Sequence, residues 1–265
     1  MAVKWTVQGL LIYLTMAAYL AACVLLVARR RRGGQAAFVT GFAVAVASFG
    51  YRWVHAGHVP LQNMFEVFVA LGMLAWPIGA FSRRYLAVGG EAGDAAIGLI
   101  VLFPAGFIFH AELQKLPPAL QSWLFIPHVA SYMLAYVILF KAGVQAVGAL
   151  VRPQGPPAEG LVPYEVAAYR ITRLGFPLLT LGLILGCWWG KLAWGNYWNW
   201  DPKELWSLVT WVVFLAYLHV RYAFGAKRRR LNAALLVAGC VAIVLTLLWV
   251  NLAPRIFPGL HSYAS

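Results

Sequence analysis

Residues 188–211 read WWGKLAWGNYWNWDPKELWSLVTW and hold seven of the chain's twelve tryptophans, together with Asp201 and Glu204. The stretch is too apolar for a solvated loop and too polar to cross a bilayer, which suits the membrane–water interface where indole rings gather. An aromatic belt at two helix ends accounts for Trp188, Trp189 and Trp206. It does not call for Gly195, Trp198, Trp200 and Asp201 in one short connection. Flat aromatic walls beside a small residue form a surface for a flat apolar ligand. Asp201 precedes Pro202 and stands three residues before Glu204, the spacing of a capping box in which the acids take free backbone N–H groups. That reading explains both acids whether or not a ligand is bound.

The composition around this stretch excludes a soluble domain. With 62% hydrophobic and 11% charged residues and a mean hydropathy of +0.74, 265 residues cannot hide their apolar surface in one soluble core. The chain reads as an all-α integral membrane protein. A net charge of +13 would suit nucleic acid if the basic residues formed a stripe. They fall instead in short clusters between apolar runs, which is a topology signal, and no nucleic-acid partner is expected. Cys23, Cys187 and Cys240 lie far apart, in or beside apolar runs and without a CxxC pair. They read as small core residues, not as a thiol–disulfide carrier or a metal site.

Apolar runs predict a bundle of about eight transmembrane helices, over 7–28, 38–54, 64–81, 95–110, 127–150, 171–189, 206–224 and 232–252. The first ends at Arg29 to Arg32 and lacks a small-residue cleavage pattern, so it reads as a retained helix and not as a signal peptide. The basic clusters Arg29 to Arg32, Arg83 with Arg84, Arg152 with Arg170 and Arg173, and Arg221 with Lys227 to Arg230 alternate along the chain onto one side. The positive-inside rule makes that side cytoplasmic. Both termini and the tryptophan-rich loop between helices 6 and 7 are then on the outer, periplasmic side. The longest inner connection, 152–170, contains Pro153, Pro156, Pro157 and Pro163 and reads as a linker. No outer loop is large enough to fold alone and no internal repeat is evident, so residues 1–265 are expected to form a single transmembrane domain.

Six histidines are available as ligands. His128 begins the fifth helix and His261 follows the eighth, both on the outer face and on either side of the tryptophan stretch in sequence. Two neutral imidazoles across an aromatic shelf give an iron two axial nitrogens, with the shelf covering the apolar macrocycle. His219 sits thirteen residues beyond Trp206, roughly 20 Å along a helix and so in the inner half of the membrane. From position alone it is either a helix-end histidine snorkelling near Arg221 or an embedded ligand. His55 and His58, in RWVHAGHVPLQNMFEVF, are read as ordering a loop. Glu66 is expected to pair with Arg52, since an acid at membrane depth needs a partner, and His110 is read as structural.

The spacing WGxYWxWDPKExW resembles the tryptophan-rich WWD signature of the haem-handling proteins of cytochrome c maturation. The Asp-Pro-Lys-Glu continuation, the WSLVTW that follows and the histidine closing YLH are most similar to the CcsA (ResC) branch, the system II cytochrome c synthase subunit, with about a dozen positions agreeing in order. The resemblance implies a WWD domain spanning residues 188–211 within a haem-handling protein. It implies that His128 and His261 are axial ligands to iron in an outer haem site against Trp194, Trp198 and Trp200, with Asp201 in the loop that shapes it. It implies that His219 is a ligand for haem within the membrane, its second ligand supplied by a CcsB (ResB)-like partner.

The implied activity is that of a cytochrome c haem lyase subunit acting on reduced haem b and on an apocytochrome c with a CxxCH segment. Thiols and haem vinyl groups supply the reactive atoms, and no side chain here reads as a catalytic nucleophile. Lys191, Lys203, Arg52 and Arg255 are the outward cations that could meet the haem propionates. The absence of a transit-like leader favours the bacterial plasma membrane over a thylakoid. The alternative is a CcmC-type haem chaperone or exporter without lyase activity, against which the embedded His219 and the DPKE continuation argue. A CcmF-type lyase is much longer. An ordinary transporter would gather its polar groups at the bilayer midplane, not at the outer face.

Overall fold

The computed structural model describes residues 4–151 and 158–249; Arg152, Pro153, Pro156, Pro157, Arg255 and His261 lie outside the described residues. The described chain is helical and contains no strand. Its helices are α1 (Val7–Val27), α2 (Arg31–Ala56), α3 (Met64–Leu86), α4 (Glu91–Phe107), α5 (Phe125–Val151), α6 (Tyr164–Trp194), α7 (Pro202–Phe224) and α8 (Arg229–Val244), the last running into a π-type turn over Leu245–Trp249.

Several helices outrun their apolar segments. α2 begins at Arg31 and α6 at Tyr164, seven residues before each predicted start, because a backbone that bonds to itself continues past the part a bilayer would cover. Six segments are long and apolar enough to cross a membrane: α1, α2, α3, α5, α6 and Pro202–Leu248, which holds α7 and α8. The protein is thus a helical membrane protein with six candidate spanning segments where eight separate spans were expected. α4 has only 17 residues, and α7 passes into α8 through one brief 3-10 turn, Gly225–Arg228. The tryptophan stretch is also less of a loop than expected: only residues 195–201 lie between α6 and α7.

The chain divides into two compact units, Met1–Phe81 with Gly90–Leu116, and Ser82–Gly89 with Pro117–Ser265. In the first, Tyr19 of α1 is fully buried among Ala22, Phe38, Ala75, Ala95 and Leu102. Its hydroxyl donates to the Gly72 carbonyl at 3.0 Å. Its ring lies so close to Gly41 and Gly98 that a Cβ on either would sit 2.5–2.6 Å from a ring carbon. Close approach through small residues is what packs helices where lipid removes the hydrophobic drive.

The second unit is built on the pairing of α5 with α6. Gly175, Leu179, Gly182, Gly186 and Trp189 recur at three- and four-residue spacing along one face of α6, and Leu179 and Trp189 on that stripe are 1% and 2% exposed. A Cβ at Gly175 would stand 2.9 Å from Ile138 and Leu139, and one at Gly182 3.0 Å from the Tyr132 ring. Lys141 and Gln145, both buried in α5, donate to the Gly89 carbonyl at 3.1 and 3.0 Å, and Arg170 donates to Leu86 at 2.7 Å. The segment 82–89 is tied to this unit by those bonds. Phe214 of α7 closes on Gly239 of α8, and Thr210 shares a hydrogen bond with Thr246 at 3.2 Å.

Candidate functional site

At the end of α6 the chain turns at Gly195, whose φ of +83° is the left-handed conformation that glycine adopts without strain. Its N–H donates to Lys191 and its carbonyl accepts from Lys191 Nζ at 2.7 Å. From the other side, Asp201 caps α7 with Pro202 in the first turn. The Asp201 carboxylate accepts from Lys203 N–H at 2.9 Å, and Glu204 accepts from Asn199 and Asp201 N–H at 2.8 and 3.2 Å. The full capping box is present, as the spacing predicted. Asp201 is 5% exposed, and its contact with backbone gives it a loop-shaping role.

Pinned at both ends, the connection holds its tryptophans in fixed places. Trp200 has a φ of +57°, an arrangement that costs a bulky residue about 1–3 kcal/mol, yet its side chain is 70% exposed. Trp198 packs edge to face on it with ring centroids 5.9 Å apart. The Trp198 indole N–H is buried and has no hydrogen-bond acceptor among the described residues.

A second aromatic group forms where α5 starts. The His128 ring lies nearly parallel to Trp189, 17° and 5.7 Å between centroids, with Tyr132 edge-on at 5.2 Å. Trp189 meets Trp194 at 4.7 Å and donates its N–H to the Ala119 carbonyl at 3.0 Å. Because a carbonyl only accepts, the 2.9 Å contact between His128 Nδ1 and Gly182 O fixes the proton on Nδ1. Nε2 then carries the lone pair, which is the state that ligates a metal. Outside this core, Trp123 and Trp188 form an edge-to-face pair at 5.2 Å, 66% and 47% exposed.

The structure therefore joins His128 to Trp194 through Trp189, and Trp198 to Trp200. Trp189 had been assigned to an interfacial belt. Its burial and its stacking on His128 make it a wall of the site instead. Its place on the glycine stripe of α6 marks the packed face but not the residue of α5 that it meets. His219 lies apart, exposed on α7, with Nδ1 2.9 Å from the Leu215 carbonyl. The buried side of α7 carries Ser207, Thr210, Phe214 and Tyr217. Arg221 pairs with Glu165 at 2.7 Å.

In the first unit, Arg52 is not an outward cation. It is buried against Glu66 at 2.9 Å and donates to Ala111 and Glu112 carbonyls at 2.6 and 2.9 Å, as the expectation of a partner for Glu66 required. His58 contacts the Val59 and Gln114 carbonyls, the loop-ordering role read for it, whereas His55 stacks on Tyr51 within α2 and ties down no loop by that contact.

These features define a multi-pass helical membrane protein with an oriented imidazole and exposed indoles, chemistry suited to a flat, metal-bearing, apolar ligand. The model of the family described as cytochrome C assembly protein matches residues 61–257. The chain is 32% identical to a cytochrome c biogenesis protein CcsA of Microcystis aeruginosa, over 84% of this chain and 86% of that one. It is 31% identical to the CcsA of Synechocystis sp., over 96% and 94%. The chain belongs to the cytochrome c assembly protein family, in its CcsA group. Among solved structures it superposes on a cytochrome c haem lyase, CcmF, with a TM-score of 0.73 at 22% identity, covering all of this chain and 51% of that one. That likeness is one of fold, and this chain spans about half the length of CcmF.

Proposed function

We propose that this chain serves cytochrome c biogenesis by holding haem at the outer end of its second unit for covalent attachment to apocytochrome c. The observation that supports it most is His128, whose Nδ1–H is committed to the Gly182 carbonyl while its ring rests on Trp189. The donor set fits haem: a neutral imidazole for iron, exposed indole faces at Trp200 and Trp188 for the macrocycle, and a buried Trp198 N–H that finds no acceptor among the described residues, for a ligand carboxylate or carbonyl. His261 is the second axial ligand in this reading, and Lys191 is a cation of this stretch for a propionate.

Haem would enter the helix bundle at His219, whose exposed ring suits a ligand pair completed by a CcsB-like partner. The residues of this chain orient haem and keep it from water. The bonds form between haem vinyl groups and the CxxCH thiols, so the chain acts as a haem lyase subunit without a nucleophile of its own. Alternating basic clusters support inner connections on the cytoplasmic side of a bacterial plasma membrane, with residues 1–265 as one haem-handling domain.

The test is the absorption spectrum of the purified protein, with and without His128→Ala plus His261→Ala. Loss of a low-spin haem spectrum in the double variant, restored by added imidazole, is the expected result. Unchanged haem in the double variant would refute the ligand pair. With a CcsB-like partner and a CxxCH apocytochrome present, thioether formation is expected. Haem retained without it would leave a delivery role only.

A further inference from the structure

The α6 stripe does more at its outer end than bring two helices together. Gly182 and Gly186 are one turn apart and face His128 and Tyr132, which are one turn apart on α5. A Cβ built on Gly186 would lie 2.6 Å from His128 Cε1 and 3.0 Å from Nδ1, far inside van der Waals contact. The ring cannot yield by moving away, because Trp189 stacks on its face and Tyr132 stands at its edge. Tyr132 is itself held close to α6, since a Cβ built on Gly182 would lie 3.0–3.2 Å from its ring. The imidazole thus sits in a notch with three walls and one carbonyl, and each wall allows one orientation.

We propose that Gly182 and Gly186 are positioning residues for His128. Gly182 fixes the tautomer through its carbonyl, and Gly186 admits the ring through its missing side chain. Together they present Nε2 as the ligating nitrogen in a preset direction. The inference rests on His128 being a haem ligand, and it adds that α6 sets the quality of that ligand. A histidine at 128 is then necessary and not sufficient.

Gly186→Ala in the otherwise intact chain carries the test, compared with His128→Ala and with Gly175→Ala. The last adds a Cβ equally close to α5, against Ile138 and Leu139, and so reports a general loosening of the helix pair. Gly186→Ala is expected to weaken haem retention about tenfold to a hundredfold and to lose low-spin character. Imidazole should recover the low-spin spectrum, as is expected for His128→Ala, while Gly175→Ala keeps the wild-type spectrum. Should Gly186→Ala not be recovered folded, Trp189→Phe thins the opposite wall without adding an atom and is expected to shift the spectrum in the same direction. A wild-type spectrum in Gly186→Ala, or in Trp189→Phe where it replaces it, overturns the inference when His128→Ala has lost the low-spin state. Equal spectral change in Gly175→Ala also overturns it, since the notch would then be ordinary packing. An unchanged spectrum in His128→Ala instead removes the ligand reading beneath it.

Discussion

α3 and α7 start from the same device and sit in opposite surroundings. Each has a short polar cap, Asn63 or Asp201, with a glutamate three residues on that gathers backbone N–H groups. In the first unit the device is closed. Glu66 also takes the buried Arg52, which reaches on to two carbonyls of the 108–116 connection, and Gln62 and His58 bond that connection again at Lys115 and Gln114. In the second unit the device is open. Glu204 fixes the loop, and the loop displays Trp200 to solvent and keeps a Trp198 N–H without an acceptor among the described residues. The cap chemistry is therefore not what marks a binding loop. The mark is the indole that the formed cap leaves exposed.

The largest effect is expected from breaking the closed side. Arg52→Ala leaves Glu66 in a site where it is 1% exposed and without its cation, a change that costs about 3–5 kcal/mol. It also frees the Ala111 and Glu112 carbonyls. Unfolding in detergent should show a correspondingly lower midpoint. In the chain that remains folded, the haem spectrum should be unchanged, because every residue of the candidate site belongs to the second unit. A spectral change with no loss of stability would reverse the contrast between the two units.

A smaller effect is expected on the open side. Glu204→Ala removes the acceptor of Asn199 and Asp201 N–H groups, a loss of about 1–2 kcal/mol by the usual cost of a cap. Its consequence for ligand retention should exceed its consequence for stability, since Trp198 and Trp200 depend on the loop it fixes. Haem titration and thermal unfolding of one preparation would compare the two. Equal losses would mean that the loop does not present the indoles.

Much of this contrast was legible in the sequence. Glu204 stood at cap spacing from Asp201, the Arg52–Glu66 pair followed from the cost of an isolated acid in a membrane, and the Trp188–Trp211 stretch announced an aromatic site. What the sequence could not supply was register between distant helices. Trp189 is a wall of the His128 notch only because α5 and α6 pair with Gly186 opposite residue 128, and nothing local to either helix sets that alignment. Helix lengths went astray for a related reason: hydropathy reports the segment a bilayer would cover, while Tyr164 and Arg31 join their helices through backbone bonds that hydropathy does not see. The left-handed Trp200 was also invisible, since local preference opposes it and only the Gly195 turn and the Asp201 cap enforce it.

That residue gives the smallest and sharpest test of the open loop. Trp200 is 70% exposed, so its removal forfeits little burial, while its φ of +57° disfavours any bulky side chain. Trp200→Gly should relieve the strain and raise stability by up to about 1 kcal/mol. If the strain exists to hold an indole face toward a flat ligand, the same change must weaken haem retention. The two effects then carry opposite signs, which simple damage to the fold cannot produce. A variant that is both less stable and less able to bind would show that Trp200 supports the loop. One that is more stable and binds as before would show that the exposed indole is not part of the haem surface, and would leave Trp198 and Trp194 to form it.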